Sequence, residues 1–282
     1  MFNSTVLEVG IGILFCFTAV SLIVSSLNEA ISSVLNLRGN NLLDGIKQLL
    51  NDPNASGLVL SLYNHAGANP LGSGTAASAE DLTYKPSYMG AATFAQAMVD
   101  ILQKAGDGKQ TVATAITNLT DPQLKKMLTD MYQRADGDLL LFEQHMASWF
   151  NNGMDRVSGI YKRRIQLITV LLGLAIAMAF NIDFFRLFRV LWEHPALAQG
   201  ISSANAGTSM QALDLLKPGG DLPVGWTKSP FCYRFPDLLA MLPGWLVTAS
   251  STLFGASFWF DILQKATNLR STGPKNDKDQ KA

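Results

Sequence analysis

Three stretches of the chain run without a charged residue: Val9 to Asn28, Ile165 to Ile182 and Leu238 to Phe260, of 20, 18 and 23 residues. As α-helices they would reach roughly 30, 27 and 35 Å, against a hydrocarbon core of about 30 Å. Each is bounded by charge, and three such runs in one chain predict membrane-crossing helices in preference to buried helices of a soluble core. The first run could also be a cleaved signal peptide. Its leader, MFNSTVLE, holds Glu8 and no Lys or Arg, and the run passes into Ser25-Ser26-Leu27-Asn28-Glu29 without a small-residue cleavage pattern. It therefore reads as a retained anchor over residues 1–28.

Between the first two runs the pattern becomes that of amphipathic helices. Leu42, Leu43, Ile46, Leu49 and Leu50 recur at three and four residues and make one apolar face. Leu58 to Tyr63 predicts a short second helix, and Phe94, Met98, Ile101 and Leu102 form the next stripe. Asp121-Pro122 is a helix start, with an acceptor at the cap and proline where no N–H is needed; Leu124, Met127, Leu128 and Met131 follow as its apolar face. A last helix should begin after Asp136-Gly137-Asp138, with Phe142, Met146, Trp149, Val157 and Ile160 mostly three or four apart and Gly153 in the gap position, and run into the second span. Gly153 and Gly159 would each cost that helix up to about 1 kcal/mol relative to alanine, so they mark a kink or a close packing contact. Residues 66–86, rich in Gly, Ala, Ser and Asn, read as a mobile loop. Alternation of the β type is scarce, so residues 29–164 are expected to be an all-α domain.

The expected architecture is thus an all-α, three-span protein with a helical domain between the first and second spans. The second span covers 165–183 and the third 238–263. Residues 184–237 lie between them and hold many Gly and Pro, with one short helix expected at Ser209 to Leu216; residues 264–282 form a polar tail expected to be disordered.

Composition sharpens this in two ways. Hydrophobic residues make up 48 % of the chain, an ordinary value, while charged residues make up only 16 %; the three uncharged runs account for the deficit. Lys+Arg 22 against Asp+Glu 22 gives a net charge of +0, which leaves no field for nucleic acid. The basic residues near the span ends are nevertheless lopsided. Arg38, Arg156, Lys162, Arg163, Arg164, Lys265, Arg270, Lys275 and Lys278 fall on one side, against Arg186, Arg189, Lys228 and Arg234 on the other. That bias predicts an N-terminus outside, with the helical domain and tail in the cytoplasm and 184–237 in the periplasm.

No catalytic, cofactor or metal constellation is legible. His65, His145 and His194 fit no H-E-x-x-H pattern, there is no Walker A run or G-x-S-x-G elbow, and Cys16 and Cys232 cannot build a disulfide framework or a cysteine metal site. The acidic residues at the span edges, Glu29, Asp183 and Asp261, sit near the interfaces, where charge is cheap; no charge stands near a span centre to make an ion path. Small residues four apart, such as Gly173 with Ala177 and Ser251 with Gly255, predict close helix packing, within the chain or between copies.

Four segments read together carry a resemblance. They are Leu27-Asn28-Glu29 with Asn36-Leu37-Arg38-Gly39-Asn40-Asn41-Leu42, then Lys85-Pro86-Ser87-Tyr88, then the run from Trp149 through Met154-Asp155-Arg156-Val157-Ser158-Gly159-Ile160-Tyr161 to Lys162-Arg163-Arg164, and last Gly255-Ala256-Ser257-Phe258-Trp259-Phe260-Asp261. The chain resembles a widespread family of uncharacterised bacterial integral membrane proteins over nearly its whole length. It departs mildly at Asn40, Ile160 and Ser257, where the family pattern has Lys, Trp and Pro. The resemblance implies location and architecture and carries no activity.

The candidate structural or lipid-interface residues are therefore Arg156, Lys162, Arg163 and Arg164 before the second span, and Trp259 and Asp261 after the third. Asp261 is expected to pair with Arg156, Arg163 or Arg164, and Trp259 to anchor at the headgroups. The leading functional expectation is a non-enzymatic inner-membrane scaffold or anchor whose helical domain binds a protein partner on the cytoplasmic side. A subunit of an oligomeric channel or transport assembly is the second reading, and a lipid-modifying enzyme built from Asp155, Arg156 and Asp261 is the third. The bilayer is an expected partner, and a homo-oligomer is left open.

Overall fold

The computed structural model describes residues 5–104, 111–194, 224–226, 229 and 232–271. Among the described residues the chain is helical, with no strand. The elements are α1 (Thr5–Val34), α2 (Leu37–Leu49), α3 (Leu58–Tyr63), α4 (Ala91–Lys104), α5 (Val112–Thr117), α6 (Pro122–Arg134), α7 (Leu139–Ala179), α8 (Phe184–Glu193), α9 (Phe235–Ser251) and α10 (Gly255–Ser271), with a 3₁₀ turn over Thr252–Phe254. The short helix expected at Ser209 to Leu216 lies outside the described residues, as does the tail beyond Ser271. Of that tail's expected start, residues 264–271 are helical, the last two turns of α10.

The chain divides into two units. The second comprises Ile31–Arg164 and the first comprises the flanking segments, Met1–Ala30 and Ile165–Ala282.

The second unit is built from the stripes read in the sequence. Leu42, Leu43 and Ile46 of α2 with Leu50 just after it, Val59 and Leu62 of α3, Phe94, Met98 and Leu102 of α4, Leu128 and Met131 of α6, and Phe142, Met146 and Phe150 of α7 form one buried core. Its centre is aromatic: Phe94 stacks on Phe150 at 4.2 Å between centroids, and Tyr132 meets Phe142 edge-on at 5.4 Å. The starts of the helices are chemically marked. Asp121 caps α6, its carboxylate accepting from the Leu124 N–H at 2.6 Å, with Pro122 in the first helical position. Asp138 does the same for α7, accepting from the N–H of Leu140 and Leu141.

Residues 66–86 contain no helix, as expected, but they are tied down. The Asn64 side chain donates to the Ala76 carbonyl and accepts from the Ala76 N–H, and Asn69 donates to the carbonyls of Tyr63 and Tyr84. Ala68, Ala76, Ala79 and Leu82 are buried beneath the loop. Small polar residues, which looked like the signature of mobility, here pin the loop to the domain.

In the first unit, α1 and the run Phe235–Asn268 are each long and apolar enough to cross a membrane, and α7 with α8 adds a third span if that pair counts as one. Neither the α7–α8 pair nor the run Phe235–Asn268 is a single straight helix. α7 runs 41 residues to Ala179 and α8 departs at 51° across residues 180–183, where Asn181 takes a left-handed conformation at φ 47°. The helix expected over 238–263 is interrupted at Thr252–Phe254, and Gly255 follows at φ 79°, a conformation that favours glycine. Pro243 is accommodated inside α9 without ending it. Charge counting could not reveal these interruptions, because the residues that make them are uncharged or sit at a span edge.

Candidate functional site

Three of the segments singled out in the sequence, around residues 36–42, 85–88 and 149–164, meet in the second unit. Glycines make the meeting close. A Cβ at Gly39 would fall 2.5 Å from the Lys85 carbonyl oxygen, so the segment before α4 lies directly on the start of α2. A Cβ at Gly45 would fall 2.6 Å from a Val157 methyl, and one at Gly153 would fall 2.5 Å from a Leu49 methyl. α2 and α7 thus press reciprocal side chains into each other's glycine gaps. The sequence left Gly153 as either a kink or a close contact, and it is the contact. Gly159 meets nothing within 4 Å.

This packing leaves an open cleft of about 290 Å³. One wall is a face of α2, with Arg38 and Asn41 over buried Leu42; the other is a face of α7, with Asn151, Asp155 and Ser158 over Phe150 and Met154. Ser87, Tyr88 and Met89 close the end, and Tyr161 lies 3.4 Å from the Ser32 hydroxyl, within hydrogen-bond reach. Tyr88 is 80 % exposed at the lip, whereas Met89 is buried in the floor. The side chains of Asn41, Ser87, Asn151, Asp155 and Ser158 make no hydrogen bond among the described residues. Lys85 is engaged, its ammonium donating to Asn40 Oδ1 at 3.3 Å.

A second cleft of about 350 Å³ lies between the end of α2 and the start of α6. Its polar atoms are spent on making turns: the Asp52 carboxylate accepts from the N–H of Ser56, Gly57 and Val59, and Asp121 caps α6 while accepting from Asn51. The cleft between α2 and α7 has the spare donors and acceptors, which makes it the better candidate for a ligand.

The residues singled out from the sequence fall as follows. Arg156, Lys162, Arg163 and Arg164 are exposed on α7 at the end of the second unit, and Asp155 is exposed on the cleft wall. Asp261 is exposed on α10 in the first unit. Trp259 is half-buried: its indole N–H donates to the Ser251 carbonyl at 2.7 Å and its ring packs on Phe17 at 5.0 Å. The polar edge of this tryptophan therefore serves a carbonyl opened by the break before α10, where the sequence had suggested the headgroups.

In the first unit the structure reveals a polar elbow that charge counting passed over. Asp183 caps α8 by accepting from the Phe185 and Arg186 N–H groups. The Trp245 indole donates to Asn181 Oδ1 at 3.1 Å, Asn181 donates to the Gly225 carbonyl, and the Thr248 hydroxyl reaches the Ile182 carbonyl at 2.9 Å. Arg186 also donates to the Gly225 carbonyl, and Trp226 to that of Ala179. Asn181 and Thr248 are wholly buried. Gly173 and Gly244 allow the approach: a Cβ at Gly173 would lie 2.9 Å from Thr252 Oγ1, and one at Gly244 only 1.8 Å from Asp183 Oδ1.

Both cysteines are free thiols, Cys16 half-buried in α1 and Cys232 exposed. Among the described residues no three His, Cys, Asp or Glu side chains gather to hold a metal ion. No family model, curated protein or solved structure matches the chain.

Proposed function

We propose that this chain is a membrane-anchored scaffold whose helical domain, residues 29–164, binds a protein partner in the cleft between α2 and α7. The observation that carries the reading is the assembly of that cleft. Segments around residues 38–42, 87–89 and 150–161, distant in sequence, pack through Gly39, Gly45 and Gly153 so that unspent polar side chains line one recess. A domain needed only to set topology would require no such recess.

The site of action is the bacterial inner membrane, with the N-terminus periplasmic and the helical domain and tail cytoplasmic. What supports this orientation is the excess of Lys and Arg beside the spans on the domain's side, including the exposed Arg156, Lys162, Arg163 and Arg164. Those four also suit anionic headgroups at the cytoplasmic face.

The test is site-specific photocrosslinking in the native cells. A photoreactive amino acid at Ser158 should give a discrete protein adduct, while the same group at Gln123, exposed on α6, should give none. Equal adducts at both positions, or none at Ser158, would remove the partner-binding reading. A signal of cytoplasmic type from a reporter inserted at Ser209 would overturn the orientation.

A further inference from the structure

Contacts within the first unit fix depths that a count of charges could not. Asn28, the last residue of the first uncharged run, donates to Thr169 Oγ1 at 3.1 Å. Thr169 is therefore level with the end of that run, and Ile165 lies one helical turn beyond it. From Thr169 to the bend at 180–183 the chain climbs about 20 Å, some 10 Å short of a hydrocarbon core of about 30 Å. The bend meets its neighbours near the middle of their own uncharged runs. Phe184 stacks on Phe17 at 5.9 Å between centroids, and Ile182 packs with Val20 and Val24; the run Val9 to Asn28 is centred on residues 18 and 19. On α9 the bend meets Gly244, Trp245 and Thr248, beside residue 249 at the centre of the run Leu238 to Phe260. α8 then follows the remaining half of α1: Leu187 and Leu191 are buried with Val9, and a Cβ at Gly12 would fall 3.0 Å from a Leu191 methyl. With α7 upright and α8 inclined to it at 51°, the ten residues of α8 add about 9 Å of depth, which closes the shortfall.

We infer that α7 and α8 together make one broken span, that the outward face of α8 meets lipid acyl chains, and that Asn181 and Asp183 stand inside the hydrocarbon layer. Residues 184–193, which the sequence placed beyond the second span, then belong to it. Their chemistry fits. Phe185, Phe188 and Trp192, at i, i+3 and i+7, are exposed on the face turned away from α1. Arg189 shares that face about 5 Å short of the far boundary, within reach of its own long side chain. Backbone opened at the bend would find no water at this depth and must be satisfied by protein. It is: the Thr248 hydroxyl bonds the Ile182 carbonyl, and the Trp226 indole bonds that of Ala179. This arrangement holds for either orientation of the chain and does not depend on a bound partner.

The experiment measures depth with nitroxides in the full-length protein in lipid nanodiscs, in a Cys16→Ser, Cys232→Ser background. Single labels go on Leu171→Cys, Met178→Cys, Phe185→Cys, Phe188→Cys and Trp192→Cys, all exposed positions, with His194→Cys as the aqueous reference. Access to molecular oxygen, compared with access to a water-soluble nickel chelate, reports the depth of each label. Met178 should be deepest and Phe185 deeper than Leu171. Depth should then fall by about 6–7 Å from Phe185 to Trp192, with only His194 fully open to the chelate. A span ending at residue 183 gives the reverse, with Leu171 deep and the three α8 labels as open to the chelate as His194; that result would overturn the inference. Equal depths at 185, 188 and 192 would overturn it too, because α8 would then lie flat along the surface. So would exclusion of both reagents from all three, which means that protein covers the face in place of lipid. Unfolding temperatures close to the parent's identify the labelled proteins that are folded; where Phe188→Cys is not, Arg189→Cys reads the same face at nearly the same depth.

Discussion

The closest approach in the membrane unit gives the sharpest test. Gly244 lies inside α9, where alanine would ordinarily stabilise the helix by about 0.5–1 kcal/mol. A Cβ there, however, would stand 1.8 Å from Asp183 Oδ1 and 2.4 Å from its Cγ, well inside van der Waals contact. Asp183 has no slack, being 8 % exposed and held by the N–H groups of Phe185 and Arg186 at 2.8 and 3.3 Å. Gly244→Ala must therefore push the carboxylate off the start of α8 or push α9 from the elbow. The first costs a helix cap, about 0.5–2 kcal/mol, and the second is overpacking, about 1–3 kcal/mol. After the propensity gain the net loss should be about 0.5–2 kcal/mol. At roughly 2–4 °C per kcal/mol for a chain of this size class, the unfolding temperature should fall by about 1–8 °C. The assay is thermal unfolding of the full-length protein in mild detergent at one fixed scan rate, because such transitions are commonly irreversible. Gly10→Ala is the control: nothing lies within 4 Å of its Cβ, so its unfolding temperature should hold or rise slightly. In an Asp183→Ser background, where a shorter side chain can still cap, Gly244→Ala should lose most of its effect. If Gly244→Ala behaves like Gly10→Ala in the native background, the elbow is not packed on α9 as described.

Three further outcomes follow from the helical domain. Gly45→Ala should destabilise by about 1–3 kcal/mol, because the methyl it meets belongs to Val157, whose branched side chain cannot swing away; Gly159→Ala should be neutral or stabilise by up to about 1 kcal/mol. Asp121→Ala should cost about 1 kcal/mol through loss of the α6 cap, read as a lower denaturant midpoint with an unchanged slope. Tyr63 is 1 % exposed with its hydroxyl unbonded among the described residues, and burial, reinforced by the Asp44 charge, pushes its phenol well above the ordinary tyrosine range. The folded state therefore holds the proton more tightly than the unfolded state, and stability present below about pH 10 is lost as pH rises beyond it. Tyr63→Phe should flatten that alkaline loss and cost little near neutrality; an unchanged alkaline limb would refute the assignment.

What could be read from the sequence, and what could not, separates along one physical line. Periodicity and capping chemistry are local, so α3 at Leu58–Tyr63, the Asp121-Pro122 start of α6 and the Asp138 start of α7 were all legible. The interruptions at 180–183 and 252–254 were not. A count of charges reports which solvent a stretch prefers, and Ser251, Thr252 and Gly255 are as uncharged as the helix around them. Their geometry depends on Trp259 reaching Ser251 and Thr248 reaching Ile182, contacts that no local window contains. The cleft lay between these cases. Its three segments stood out as motifs, but the reason for their glycines appears only when Val157 and Leu49 are found in the gaps.

The two units follow opposite burial rules, and that contrast bears on what the membrane part is for. The helical domain gathers its apolar side chains into one large cluster. Among the described residues of the membrane unit there are two buried apolar clusters of three residues each, around Val9 and Val20, while Phe15, Leu22, Leu171, Phe188, Leu239 and Phe260 face outward. It buries Ser21, Asn181, Asp183, Thr248, Ser251 and Thr252 instead. In water this arrangement would expose apolar surface and desolvate polar groups; in lipid it costs little outside, and inside most of those polar groups have partners. Yet an anchor needs none of it, since α1 alone is long and apolar enough to hold a domain at a bilayer. A bent α7–α8 pair locked by Asn181, Trp245 and Gly244, and an α9–α10 break closed by Trp259, are what a unit requires when its helices must keep one fixed packing in the membrane. The shape of that packing, as well as the attachment it provides, is therefore part of what the chain specifies.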